Sequence, residues 1–187
     1  MIQISGSHRR TFVFPAELPL AFTYYSDLGR VLPYLPHIFL VQAYRYDQFR
    51  MLYSTVELGM YQIRIFCDLE ARLDDNTRTL FLQPLKGYPP AKPAAGSKSA
   101  TGQGFFFSQS VFQAAGRQTK VDYNLQLQAD LLSPLGLRLM PGGVVNRIAH
   151  NITRRRIREI ADGFIERSID AFPYWVDELQ QENLPAL

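Results

Sequence analysis

The chain has 187 residues and a formal net charge of +3, with 47% hydrophobic and 20% charged residues. That balance excludes a disordered or fibrous chain, suits a single folded domain over 1–187, and gives no charge argument for nucleic acid. Its one cysteine, Cys67, excludes an internal disulfide and a cysteine metal cluster, which fits a reducing compartment.

The N-terminal residues up to Phe14 read as a strand. Two short helical runs follow, the first carrying Leu18, Ala21, Phe22 and Tyr25, the second ending at Tyr34-Leu35-Pro36. Pro15 suits the first turn of a helix, and Asp27 suits an N-cap between the two runs. From His37 the period becomes two. Strands are predicted over His37–Tyr46, Phe49–Leu58, Tyr61–Glu70, Arg78–Gln83, Gln103–Gln113 and Arg117–Asp130. In the last of these Val121, Tyr123, Leu125 and Leu127 alternate with Lys120, Asp122, Asn124 and Gln126, as in a sheet with one buried face.

Pro84–Gly102 is dense in Pro, Gly, Ala, Ser and Lys, and its composition predicts a mobile loop. Gly143–Phe172 reads as one long helix with Val145, Ala149, Ile152, Ile160, Phe164, Ser168 and Ala171 along a stripe. Pro173 is expected to kink or end it. The reading is therefore α+β: seven antiparallel strands, two short helices after the first, and a long C-terminal helix against the inward face. No secretory signal or membrane-spanning run is read from the sequence, so a cytoplasmic protein is expected.

Chemistry is sparse. The histidines, His8, His37 and His150, form no metal-spaced pair, and no nucleophile elbow, phosphate loop or dinucleotide turn is present. No metal, cofactor or catalytic set is assigned. Glu57 shares a strand face with Met51, Tyr53 and Thr55, and points inward as a candidate carboxylate with a raised pKa unless it is a solvated strand end. Tyr53, Tyr61 and Tyr123 can offer hydroxyls to a ligand or fill core as rings. In the run Thr153–Arg158, Arg156 lies four residues from both Ile152 and Ile160, and is the arginine placed to reach the inward face as an anion clamp. The remaining arginines, with Lys86, Lys92 and Lys98, form a basic surface suited to peripheral contact with an anionic membrane. The high aromatic content, 13 Phe and 10 Tyr, suits either a packed core or an apolar pocket.

The element order, together with Pro15-Ala16, Phe22–Asp27, Arg30-Val31 and Tyr34–Pro36, resembles the START-like (helix-grip) superfamily of lipid-transfer, polyketide-cyclase and pollen-allergen-type proteins. More specifically it resembles a START-like family of cyanobacteria and plant plastids, which would place a plant member in the stroma. That resemblance implies a curved sheet gripping the last helix over a cavity, its mouth beside Leu58–Tyr61, Pro84–Gly102 and Leu131–Gly143. Tyr53, Glu57, Tyr61, Ile63, Tyr123, Leu125, Arg156 and Phe164 are the expected ligand-binding residues. The implied function is binding or transport of a hydrophobic small molecule such as a lipid, quinone, carotenoid or tetrapyrrole. The alternatives are a cyclase/aromatase-like enzyme and a photosynthetic assembly factor acting through its surface. No nucleic-acid partner is expected, and the sequence names no protein partner.

Overall fold

A computed structural model describes residues 1–182. Its sheet runs in the order β1-β8-β7-β5-β4-β3-β2 with β6 attached to β7. The strands are β1 (Ile2–Phe14), β2 (Ile38–Ala43), β3 (Gln48–Glu57), β4 (Tyr61–Asp74), β5 (Thr79–Pro84), β6 (Ala94–Ala95), β7 (Ser99–Ala115) and β8 (Gln118–Leu131). Between β1 and β2 lie α1 (Leu18–Ser26), α2 (Leu28–Val31) and a 3-10 turn (Leu32–Tyr34), and the described residues end in α3 (Gly142–Glu182). Asp27 caps α2 by accepting the Arg30 amide at 3.2 Å. It is Pro19, not Pro15, that occupies the first turn of α1.

The sheet departs from seven antiparallel strands in two ways. It has eight, because Ala94–Ala95 inside the Pro84–Gly102 segment pairs with Ala100 and Thr101. It also contains a parallel seam, Gln62–Phe66 beside Ser99–Gln103, where β7 runs on past the short β5 to meet β4. Two alanines carry no periodicity, and a strand that switches neighbours midway leaves no mark on its own alternation.

The Pro84–Gly102 segment, expected to lack anchors, carries several. Tyr88 stacks on Tyr44 with ring centroids 3.7 Å apart. Arg50 donates to the Pro89 carbonyl at 2.6 Å, and Gln103 accepts the Ala91 amide at 2.9 Å. The segment straps the outer face of β3 and β4, which is why Asp68, on the opposite face of β4 from Ile65 and Cys67, is buried. Asp68 accepts hydrogen bonds from Arg50 at 2.7 and 2.8 Å, Tyr44 at 2.9 Å and Gln103 at 3.2 Å. Burial works against its charge, yet these donors hold its carboxyl below the usual carboxylate range.

α3 crosses the concave face on a stripe of Val145, Thr153, Ile157, Ile160, Ala161, Phe164, Ser168, Phe172 and Trp175. Two glycines permit its close approach. A Cβ on Gly6 of β1 would lie 2.5 Å from Ile157 Cδ1, and one on Gly163 of the helix would lie 2.6 Å from Pro36 Cγ. Pro173 sits inside the helix without ending it. The missing amide bond is outweighed because Phe172 and Trp175, either side of it, are both buried: Phe172 lies 4.8 Å from Phe14 and Trp175 lies 5.1 Å from Tyr24.

The stabilisation from Asp68 is complete above the unfolded carboxylate value of about 3.9 and is lost as pH falls through the lower folded value. Asp68→Ala, which strands Arg50, should cost about 3 kcal/mol at neutral pH. In acid titrations followed by circular dichroism, that difference from the wild type should shrink below pH ~4. A constant difference down to the acid transition would remove Asp68 from this role.

Candidate functional site

A cavity of about 130 Å³ lies between the N-terminal half of α3 and the sheet. β1 contributes Ile2 and Ile4, β8 Leu127 and Leu131, and α3 Ala149, Ile152, Ile157 and Ile160. The remaining wall is Tyr53, Thr55 and Glu57 of β3 with Tyr61, Ile63 and Ile65 of β4. Leu58, Leu137, Met140 and Val145 lie at the mouth, and Ile148, Thr153 and Arg156 of α3 complete the lining. A smaller cavity of about 30 Å³ lies deeper, bordered by Met51, Cys67, Leu69, Phe106 and Leu125. Tyr53, Leu127, Ile157 and Ile160 border both, so these four side chains partition the two spaces. Burial pushes the Cys67 thiol up to about 12, leaving it protonated and unreactive.

The expected ligand-binding residues divide. Tyr53, Glu57, Tyr61, Ile63 and Arg156 converge on the main cavity. Leu125 borders only the smaller one. Tyr123 and Phe164 line neither. Their rings pack together at 5.6 Å, and Phe164 lies 6.0 Å from Tyr25. They belong to an aromatic block with Phe14, Tyr24, Phe112, Phe172 and Trp175 that fills the opposite end of the grip. Ser168 ties that block to the helix: the Tyr24 hydroxyl donates to its carbonyl at 2.8 Å, and its hydroxyl pairs with that of Tyr25 at 2.8 Å. Sequence reading missed Ile2 and Ile4, whose alternation in β1 was a usable signal. It also missed Leu137 and Met140, which lie in a segment with no periodicity at all.

Glu57 and Arg156 form the polar feature of the cavity. Arg156 donates through Nε to Glu57 Oε1 at 2.8 Å and through Nη1 to Glu159 Oε2 at 2.7 Å. Glu159 Oε1 in turn lies 2.8 Å from His37 Nε2. His37 itself sits at φ 62°, a conformation rare for a non-glycine residue. The hydrogen bond with Glu57, reinforced by Glu159, raises the Arg156 guanidinium pKa further and keeps it charged. His37 first, then Arg156, holds the Glu159 carboxyl below its ordinary range. Burial, with the Glu57 charge beside it, pushes the Tyr53 hydroxyl well above its usual value.

Two expectations change. Glu57 is buried but is not an isolated acid, because a guanidinium neutralises it. Arg156 reaches the inward face, but its charge is engaged by two carboxylates and is not free to clamp an anion. Among the described residues no group of His, Cys, Asp and Glu is arranged to hold a metal ion.

Arg156→Met should cost about 3 kcal/mol by leaving the buried Glu57 only the exposed Arg155, 3.8 Å away, as a charge partner. Glu57→Met combined with Arg156→Met should recover most of that loss, since apolar side chains of similar volume replace the pair. Urea denaturation of the two variants measures this. Equal losses would mean that the pair holds the fold by more than mutual neutralisation.

No protein-family profile matches the sequence, and no curated protein matches it significantly. Solved structures match its shape. A protein from Thermus thermophilus is 19% identical, covering 89% of this chain and 99% of its own, with a TM-score of 0.52. The Zhui aromatase/cyclase from a Streptomyces species is 9% identical over 92% of this chain and 96% of its own, with a TM-score of 0.55. Human STARD10 is 13% identical over 96% of this chain and 72% of its own, with a TM-score of 0.50. Likeness at these identities is a likeness of fold. The chain has the START-like, helix-grip fold: a large curved sheet closed around its long C-terminal helix.

Proposed function

We propose that the protein binds a small apolar or weakly amphipathic molecule in the cavity between α3 and the sheet. The carrying observation is the cavity wall: aliphatic side chains from β1, β4, β8 and α3, with a self-neutralised ion pair as the polar feature. Such a wall takes up apolar surface at about 25 cal/mol per Å². It offers no uncompensated positive charge to a carboxylate or phosphate head. A ligand with a neutral hydroxyl or carbonyl, able to bond with Glu57, Thr55 or a tyrosine hydroxyl, suits it better than an anion. Of the expected classes, lipid, quinone, carotenoid and tetrapyrrole, a small neutral lipid suits a cavity of about 130 Å³ best.

Similarity to an aromatase/cyclase keeps an enzymatic reading in view. Chemistry of that kind asks for an inward acid or base, and here the inward carboxylate is tied to Arg156 while burial raises the Tyr53 hydroxyl. That supports binding over turnover.

Isothermal titration calorimetry with 1-decanol and decanoate at neutral pH tests the reading. The alcohol should bind about tenfold more tightly or better, because burying an unpaired carboxylate is unfavourable. Ala149→Phe, which fills the cavity from the helix side, should weaken the alcohol by about tenfold with the fold intact. Binding unaffected by Ala149→Phe would place the ligand elsewhere, and tighter binding of decanoate would restore Arg156 as a clamp.

A further inference from the structure

Three segments meet at the cavity mouth: the β3–β4 turn, the stretch before β7, and the 132–145 connection into α3. The Leu135 and Gly136 amides donate to the Gly96 and Ser97 carbonyls at 2.9 and 3.2 Å, and the Gln62 amide donates to the Lys98 carbonyl at 2.9 Å. Leu58, Tyr61, Leu137, Met140 and Val145 from these segments line the cavity. Leu58 is also half exposed, and with Met60, Leu135, Leu139 and Val144 it forms an apolar rim, Leu139 being 96% exposed.

The turn carries a telling choice. Leu58 and Gly59 are its central residues, at φ 52° and 71°, positions where Asn and Gly are usual and a bulky leucine is strained. Nothing in the turn itself favours leucine there, whereas an apolar tip does. Within residues 58–62, 96–100 and 132–148 the charges are of one sign, Lys98, Arg138 and Arg147, with no Asp or Glu.

From this geometry we infer that the cavity mouth docks onto an anionic lipid bilayer, with Leu58, Met60 and Leu139 entering the acyl boundary and Lys98, Arg138 and Arg147 meeting the headgroups. The backbone of the rim is prepared for such a medium. The amides of Leu137, Arg138 and Met140 donate to the carbonyls of Pro134, Leu135 and Leu137, and that of Met60 to Glu57. Those groups enter the interface already satisfied, where an unpaired N–H is costly. A protein partner is the weaker fit, because the rim has leucine, methionine and valine in place of the tyrosine and tryptophan that anchor protein interfaces. No described helix is long and apolar enough to cross a membrane, so the contact is a surface one.

Flotation with vesicles of phosphatidylcholine, alone or mixed with phosphatidylglycerol, tests this. The full chain should partition onto the mixed vesicles, and less so at high salt. Leu139→Asp, at a site too exposed to disturb folding, should lower partitioning by about tenfold or more. Arg138→Ala and Arg147→Ala should each lower it by about fivefold on mixed vesicles and hardly at all on neutral ones. Phe39→Ser, at another exposed apolar site, on β2, should change nothing. Absence of binding to the mixed vesicles, equal loss from Phe39→Ser, or retention by Leu139→Asp would each overturn the inference. So would a concentration-dependent dimer abolished by Leu139→Asp. Decanol titration without vesicles should be normal in Leu139→Asp, so failure of membrane docking and failure of the ligand reading are separable.

Discussion

Anchoring of the C-terminal half of α3 in the aromatic block is the constraint on which the site depends. Phe14, Tyr24, Tyr25, Phe164, Phe172 and Trp175 interlock there at ring separations of 4.8 to 6.0 Å. Ser168 bonds both tyrosines, so the helix cannot rotate or slide without stranding buried hydroxyls. With one end fixed, the height of the helix over the sheet at mid-length is set by the contact of Ile157 with Gly6. Beyond that contact the sheet curves away and the side chains become aliphatic. The cavity is what remains between the helix and the sheet once one end has been filled.

Two ionic clusters brace β3 and β4 from opposite faces. On the concave side Glu57, Arg156, Glu159 and His37 link the helix to β3 and to the corner before β2. On the convex side Arg50 and Asp68, with Tyr44 and Gln103, hold the strap. Half-buried pairs of this sort add little net stability over apolar replacements, because desolvation offsets their attraction. They do fix orientation. The inner cluster holds the helix against β3 beside the cavity, and the outer one ties the strap down at Pro89 and Ala91.

The alternation of β8 was legible because its period is local. So was the Asp27 cap of α2. The long helix was legible in its start and in much of its stripe, and obscured at Pro173, where burial of Phe172 and Trp175 overrides a local rule. The division of the aromatics was not legible. Tyr53 and Tyr123 look alike along a strand, and only the path of α3 across the sheet puts the first at the cavity and the second in the block. The inward reach of Arg156 was readable from its spacing to Ile152 and Ile160. Its neutralisation was not, since Glu57 lies 99 residues away in the chain. The Ala94–Ala95 strand and the parallel seam depend wholly on tertiary neighbours.

Trp175 gives the molecule an optical property that follows from its place. It is the chain's one tryptophan, set 5.8 Å from Phe172 and 5.1 Å from Tyr24 in the block, some 22 Å along the helix from Ile160 by a rise of about 1.5 Å per residue. Its emission therefore reports the integrity of the closed end and stays silent while the cavity fills. Loosening of the grip at that end and occupancy of the open end are signals that the protein separates by itself, without an added dye.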